Sequence, residues 1–464
     1  MPRRVVVAHD LGEVWLALLE DRRVVELAIR PASGRWLGAI VKGRVTGLAP
    51  GVRAVFVDIG TARDAFTIRP EAAPGGAPLK PGDELLVQII REAEGGKGHR
   101  ATPALSIPGW SLVLAPGATH RGVSHRIAEE AERQRLRAIL DEIAPPEHAL
   151  IARTAAQGAS REELATERDA LLALWESIRR RADDARAPAI VYREQAPELA
   201  FLRDRLADGL DEVIVDGGET SGLQAAFSRI TADAPRVVAH DGPLPAIEAW
   251  RLDAALEEAL DDRVPLPGGG RLVIHPTEAL VAIDVNSGQD LGAADLEQTA
   301  LRTNLEAAGE IVRQVRLRDV GGLVVIDFID MQLPESRAQV DAALAEQLAF
   351  DRARRRVLPL DDFCVALITR QRRGASLFRQ FGATCPTCHR GSVLRADALA
   401  RSLLRELRRA ARPYPAPRCR LSAPAAALDD AREIAERWGE VSRLPATSSI
   451  EFVEGPPHVE IAGG

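Results

Sequence analysis

The sequence predicts a multidomain chain of mixed α/β and α+β class, and three observations predict it. Between residues 36 and 104, short strand-like segments are punctuated by Gly and Pro, the pattern of a small β-barrel. From 258 to 380, apolar runs alternate with helical periodicity, as in an α/β layer. Beyond 393, two helical stretches and two short strand-like runs make a small α+β tail. Two of the apolar runs, VAIDVNSG (281–288) and GGLVVIDFID (321–330), lead into carboxylates, and strand ends are where α/β folds carry their sites.

Residues 4–8, 14–19 and 24–29 alternate apolar and polar and read as strands of a sheet too small to bury itself. Barrel strands follow at 39–47, 51–59, 64–68 and 84–91. Phe56 and Phe66 fall on them among Lys42, Arg44, Arg53 and Arg63. Aromatic rings among cations on a small barrel form a platform for single-stranded nucleic acid, unless both rings belong to the core. Helices are predicted at 127–140 and 161–181, the second opened by Ser160 as cap with Glu163 three places on. Between them HALIARTAAQG (148–158) carries a strand into Arg153 and Thr154. An arginine, a hydroxyl and open backbone suit a terminal phosphate, although a salt-bridged arginine is the plainer reading.

Residues 200–206 and 223–229 read as helices, 212–216 and 236–240 as strands. The stretch 293–317 is an amphipathic helix with Leu301, Leu305, Ala308, Val312 and Val315 on one stripe. A strand to Asp327, a helix over 337–356 and a strand at 363–369 complete the layer. The tail reads as helices at 396–411 and 427–437 with strands at 449–452 and 458–461.

Composition excludes several classes. With 46% hydrophobic and 27% charged residues, the chain suits a globular protein with several cores. A net charge of −7 gives no global nucleic-acid signature, so a polyanion must be held by local clusters. Arg352, Arg354, Arg355 and Arg356, and then Arg370, Arg372 and Arg373, are such clusters or solvated helix faces. No apolar run approaches the length of a membrane span. Four cysteines, all late in the chain, are too few for a secreted disulfide framework, so a reducing cytoplasm is expected.

Asp284 and Asn286 are two apart and share a strand face, and Asp327 ends the second run. A carboxylate at a buried strand end loses hydration and needs a partner. Two such strands side by side would gather two carboxylates and an amide oxygen, an all-oxygen site suited to Mg²⁺. Either aspartate alone reads better as a cap or turn former; all three residues together demand that two strands converge. Cys385 and Cys388, in CPTC, have the spacing that lets two thiolates reach one Zn²⁺. The rest of a tetrahedral site could come from Cys364 and Cys419, from His389, or from the same pair of a second subunit. A redox pair or inert thiols are the alternatives.

Together these motifs resemble the RNase E/G family of endoribonucleases. The likeness is strongest over 268–391, through TEALVAIDVNSG, TNLEAAGEIVRQVRLRDVGGLVVIDFIDM and CPTC. GRVTGLAPGVRAVFVDIG resembles the family's S1 barrel, RGVSHRI and LIARTAAQG its 5′-monophosphate sensor, and LLRELRRAAR the tail domain of its shorter, RNase G-like branch. The resemblance implies an RNase H-like domain (1–35 and 196–257) interrupted by an OB-type S1 barrel (36–107) and a 5′-sensor region (108–195). A DNase I-like catalytic domain (258–380), a zinc link (381–392) and a small C-terminal domain (393–464) would follow.

The same resemblance implies Asp284 and Asp327 as Mg²⁺ ligands and Asn286 as a third catalytic residue. It implies Cys385 and Cys388 as Zn²⁺ ligands shared across a homodimer, with dimers able to pair into a homotetramer. Phe56, Phe66 and Lys97 would hold single-stranded RNA, and Arg153, Thr154 and Arg126 a 5′-phosphate. The implied reaction is Mg²⁺-dependent hydrolysis of AU-rich single-stranded RNA to 5′-phosphate and 3′-hydroxyl ends, in rRNA processing and mRNA decay. Four residues depart from the family pattern. His275 and Pro276 replace an acidic and a polar residue, Gln289 a basic one, and His125 the first of an Arg-Arg pair. They bear on substrate affinity and 5′-end dependence, and the long C-terminal scaffold of RNase E is not expected. Two rival readings are a non-catalytic S1-type RNA-binding or scaffold protein with a vestigial acidic site, and a Mg²⁺ phosphoesterase of small molecules. The complete acidic set counts against the first, and a barrel with Phe56, Phe66 and Lys97 against the second.

Overall fold

A computed structural model describes residues 2–32, 36–49, 51, 54–68, 79–93, 98–193, 197–206, 209–217, 220–228, 234–288, 296–372, 374–385, 392–414, 417–438 and 449–462. Residues 1–7 and 30–241 form one compact unit, and residues 8–29 and 242–464 another. Among the described residues no helix is long and apolar enough to cross a membrane.

The first unit contains a closed five-stranded barrel. Strand Ile40–Ala49 serves two neighbours, pairing with Glu84–Arg91 through its first half and with Ala54–Asp58 through its second. Ala65–Ile68 pairs with Ala54–Asp58 and lies parallel to Arg100–Thr102, which closes onto Glu84–Arg91. The interior is filled by Val41, Val45, Val55, Val57, Val87 and Ile89. Gly43 sits where the first strand passes from one neighbour to the other. A Cβ there would lie 2.4 Å from Val57 Cγ1 and 3.0 Å from the Asp58 carbonyl, so the bend requires glycine. The closing strand Arg100–Thr102 has only three residues, too few for alternation to reveal it in sequence.

Beside the barrel in sequence, Leu112–Pro116 and His148–Ala152 pair antiparallel, and Arg121–Val123 runs parallel to the latter. Helices Glu130–Ile143 and Arg161–Asp184 share a core with these strands through Leu114, Leu140, Leu150 and Ile178. The longer helix starts at the predicted cap. Ser160 Oγ accepts from the Glu163 amide at 3.2 Å, and Glu163 Oε2 accepts from the Ser160 amide at 2.7 Å.

The second unit is built on a six-stranded sheet. Its order is Arg263–Pro265, Arg271–Pro276, Leu280–Asn286, Gly322–Asp327, Val365–Arg370 and Arg355–Leu358. Only the central pair, Leu280–Asn286 with Gly322–Asp327, is parallel. Leu272, Ile274, Ile283, Val285, Val324, Ile326, Ala366 and Ile368 share one core with helices Leu296–Leu317 and Pro334–Ala349. One face of the sheet is therefore covered by helix, and the alternate residues lie on the other.

Helix Leu296–Leu317 is not a simple amphipath. Ala308, Val312 and Val315 of the predicted stripe are buried, but Leu305 is 36% exposed. The polar side is buried too. Arg313 donates to Glu310, Glu258 and the Val24 carbonyl, and Arg316 to Glu26 and Glu20. Those partners explain the unfinished look of the N-terminal strands: Glu13–Glu20 and Arg23–Pro31 meet the arginine side of this helix. The helix predicted over 337–356 ends at Ala349, and Arg355–Leu358 is an edge strand. Arg and Ala propensity carried the helical pattern too far, whereas Asp351 turns the chain by accepting from the Ala353 amide at 3.1 Å.

In the tail, Arg418–Ala423 lies between parallel Ser449–Glu454 and antiparallel His458–Ala462. Helices Ala396–Ala411 and Ala425–Trp438 pack on this sheet, and Arg405 and Arg408 of the first pair with buried Asp10. Gly43→Ala should cost about 1–3 kcal/mol through overpacking at the barrel bend, read as a lowered thermal midpoint.

Candidate active site and nucleic-acid interface

Period-two alternation decides where the acidic residues go. Ile283 and Val285 are drawn into the core, which puts Asp284 and Asn286 on the open face. Val324 and Ile326 do the same for Asp327. The parallel register then sets Asp284 directly opposite Asp327. Adjacent strands are about 4.8 Å apart, so both carboxylates project from neighbouring positions of one surface. Asn286 Nδ2 donates to Asp284 Oδ2 at 2.6 Å, which orients that carboxylate and keeps the amide oxygen as an acceptor.

Both aspartates are exposed, which corrects the expectation that burial strips them of water. What a cation would relieve there is their mutual repulsion. Two unit charges at strand spacing repel by about 1 kcal/mol in water, and by several times that beside low-dielectric protein. Among the described residues neither carboxylate forms an ion pair. Nor does any group of three His, Cys, Asp or Glu side chains gather there or elsewhere among those residues. The donor set is two carboxylates and one amide.

Two neighbours went unread in the sequence. Asn304, fully buried on helix Leu296–Leu317, donates to the Ile329 carbonyl at 2.8 Å and accepts from its amide at 3.0 Å. It anchors the chain two residues after Asp327. On the next strand, Arg271 stands opposite Asn286, and Val273 opposite Asp284. His275, one of the departures, is exposed on that strand, with Nε2 3.3 Å from Asp262 Oδ2. Gln289 lies outside the described residues.

On the barrel, Phe56 and Phe66 are register partners on adjacent strands, and neither is in the core; Phe56 is 41% exposed. Arg100 stands beside Phe66, and Arg91 beside Arg100. Two rings and two guanidinium-bearing residues thus form one row across four strands. Arg100 and Arg91 were missed because only the closing strand brings them there. Lys97 and Arg53 lie outside the described residues. Lys42 and Arg44 are occupied elsewhere: Lys42 donates to the Ala182 and Ala185 carbonyls at 2.9 Å, and Arg44 pairs with Glu84 at 3.1 Å.

The predicted phosphate pocket is only partly assembled. Arg153 donates to Asp204 at 2.5 Å and to the Gly109 carbonyl at 2.8 Å, so it is the salt-bridged arginine of the plainer reading. Beneath it, Glu167 accepts from the Ser111 amide at 3.0 Å; burial pushes its carboxyl above the usual range, against the pull of backbone amides. Thr154 Oγ1 lies 3.1 Å from Ser124 Oγ, which also accepts from the Arg126 amide at 3.3 Å. Thr154 thus meets the turn that carries Ser124 and exposed His125 and Arg126, and Ser124 is the member the sequence does not reveal.

Of the cysteines, Cys385 is partly buried and Cys388 lies outside the described residues, as does His389. Cys364 belongs to the core under the six-stranded sheet and Cys419 to the core of the tail, where burial pushes its thiol up. Two thiols packed into separate cores are not presented to a surface metal, which removes their completion of the site. The predicted basic clusters also divide. Arg370 is buried against Asp351 at 2.7 Å and Asp319 at 3.1 Å, whereas Arg354, Arg356 and Arg372 are exposed.

A model of the Ribonuclease E/G family matches residues 106–373, which include the strands of the acidic pair. Ribonuclease G of Haemophilus influenzae is 33% identical over 419 residues, 85% of each protein. Ribonuclease E of a Nostoc species is 34% identical over 407 residues, 84% of this chain and 58% of that protein. Ribonuclease E of Escherichia coli is 34% identical over 427 residues, 87% of this chain and 40% of that protein. The chain therefore spans little more than half, or less, of these two ribonuclease E proteins. With a family model over more than half its length and relatives above 30% identity over most of it, the chain belongs to the Ribonuclease E/G family.

Proposed function

We propose that this chain is an endoribonuclease of RNA processing that hydrolyses internal phosphodiesters of single-stranded RNA at Asp284 and Asp327, leaving 5′-phosphate and 3′-hydroxyl ends. The observation that carries this is the in-register, exposed acidic pair within the family-matched segment, which meets no basic side chain among the described residues. Two carboxylates and an amide oxygen suit Mg²⁺, which takes few protein ligands and leaves positions for water and phosphate oxygens. Bound there, the ion supplies Lewis-acid charge to a phosphate oxygen and lowers the pKa of a water. Asn286 holds the Asp284 carboxylate in place and offers its amide oxygen to the same focus. Arg271, across from Asn286, adds a positive charge for the RNA backbone. The barrel row supplies stacking for bases at Phe56 and Phe66 and phosphate contacts at Arg100 and Arg91, with Lys97 as the family resemblance has it. Ser124, Thr154 and Arg126 are the groups suited to a 5′-monophosphate, with Arg153 bracing the turn rather than touching the phosphate.

Asp284→Asn and Asp327→Asn should fold like the parent, since both side chains are in water, and should lose at least about 100-fold in kcat, or about 3 kcal/mol of barrier. Incubating a 5′-monophosphorylated oligoribonucleotide with and without Mg²⁺ checks this. Parent-like turnover by either variant would sink the site, and binding without cleavage by the parent would mark a scaffold. On the barrel, Phe66→Ala should weaken RNA binding by about 1–3 kcal/mol. Arg100→Ala should lower the slope of log K against log salt by about 0.7, as expected for one lost contact to a single strand. Fluorescence anisotropy over a salt series reads both.

We also propose that Cys385 and Cys388 hold Zn²⁺ together with the same residues of a second copy. The supporting fact is that the chain's other two thiols are locked in cores. Native mass spectrometry should show a dimer or tetramer that falls to monomer when zinc is chelated.

A further inference from the structure

The loop that delivers the strand opposite Asp327 carries an unusual side chain. Phe363 is 78% exposed in a chain where aromatics make up only 4% of residues. Its exposure is built in. Asp361 Oδ1 accepts from the Phe363 amide at 3.0 Å and the Val365 amide at 2.9 Å, and the Cys364 amide donates to the Asp361 carbonyl at 3.0 Å. Between them Cys364 takes a left-handed backbone, φ +59°, which a residue with a side chain adopts only when its surroundings enforce it. They do: the Cys364 side chain is 1% exposed and its Sγ accepts from the Met331 amide at 3.2 Å. Strained backbone thus buries the cysteine and leaves the phenylalanine in water on a rigid turn.

The position of this turn ties the ring to the acidic pair. Val365 is the register partner of Asp327, and the Phe328 amide donates to the Cys364 carbonyl at 3.1 Å. Phe363 is two residues from Val365, at most about 7 Å along the chain, and one strand spacing of about 4.8 Å separates the partners. The surrounding charge decides what the ring can meet. Asp361 and Asp362 flank it on the N-terminal side, Arg337 pairs with Asp362 at 3.1 Å, and Asp327 lies across the sheet, so the charge around the ring is net negative. A phosphate would be repelled there, whereas the face of an uncharged base is not.

We propose that Phe363 is a stacking platform for the base of a nucleotide that flanks the scissile phosphate, a second aromatic contact for RNA beside the acidic pair itself. This rests on the nuclease reading above. Stacking on a preformed ring fixes that nucleotide without sequence-specific hydrogen bonds and keeps the phosphate next to it over the two aspartates. The ring touches substrate away from the reacting atoms, so its contribution is positional.

The test uses the full chain, Mg²⁺ and a single-stranded oligoribonucleotide cleaved at one bond, with versions in which either flanking nucleotide is replaced by abasic ribose. Phe363→Ala should lower kcat/KM about tenfold on the intact substrate, and Phe363→Trp should retain activity. One of the two abasic substrates should be about tenfold poorer for the parent and no poorer still for Phe363→Ala. Undiminished cleavage by Phe363→Ala, or an equal further loss on both abasic substrates, overturns the proposal. So does a change of subunit number in Phe363→Ala by native mass, which would assign the ring to an interface between copies. If the parent cleaves nothing, the nuclease reading falls first, and the proposal with it.

Discussion

One constraint organises the second unit: the register of a single parallel strand pair. Had Gly322–Asp327 slipped by one residue against Leu280–Asn286, Asp327 would no longer face Asp284 and its side chain would exchange with the core set. The register is held from below by Ile283, Val285, Val324 and Ile326 against helices Leu296–Leu317 and Pro334–Ala349. It is held from the side by Asn304, which clamps both backbone groups of Ile329. The helix in turn is wedged by arginines on its other side against the N-terminal hairpin. The spacing of the acidic pair should therefore respond to packing changes well away from it, because the two carboxylates are only as close as that register makes them.

The parts of this arrangement legible in the sequence were those that depend on local periodicity. Alternation put Asp284 and Asn286 on one face, and the cap at Ser160 announced the longest helix of its unit. Three polar groups ending apolar runs demand that the two strands converge, and the register sets Asp284 opposite Asp327. What stayed hidden depends on partners distant in sequence. Arg100 stands beside Phe66 only because a three-residue strand closes the barrel. Ser124 meets Thr154 across 30 residues, and Asn304 meets Ile329 across 25. Helix propensity misled where Arg and Ala ran past Ala349, since tertiary pairing of Arg355–Leu358 outweighs a few tenths of a kcal/mol per residue.

Arginine is the residue whose role composition could least decide. In Arg370 the guanidinium is buried and saturated by Asp351, Asp319 and the Val320 carbonyl. Arg313, Arg316, Arg405 and Arg408 are likewise buried in carboxylate pairs. Such pairs add little net stability over an apolar replacement, but losing one partner strands the other charge and costs several kcal/mol. They specify which helix meets which hairpin. A sequence window shows only a basic cluster; whether it meets an acid from a distant strand or a polyanion from solvent is settled by pairing the window does not contain.

The same contrast bears on the acidic pair. This chain provides an arginine for Asp10, for Glu310 and for Asp351, all of them buried. Asp284 and Asp327, side by side on the open face, receive none among the described residues. Structure alone gives no reason to set two like charges at neighbouring positions and leave them unpaired, because a polar uncharged residue at either place would remove the repulsion at no cost in burial. Water tolerates the pair, at about 1 kcal/mol, and so keeps it available. On the proposed reading, a divalent cation between them would reverse the sign of the interaction and leave coordination positions for water and phosphate oxygens.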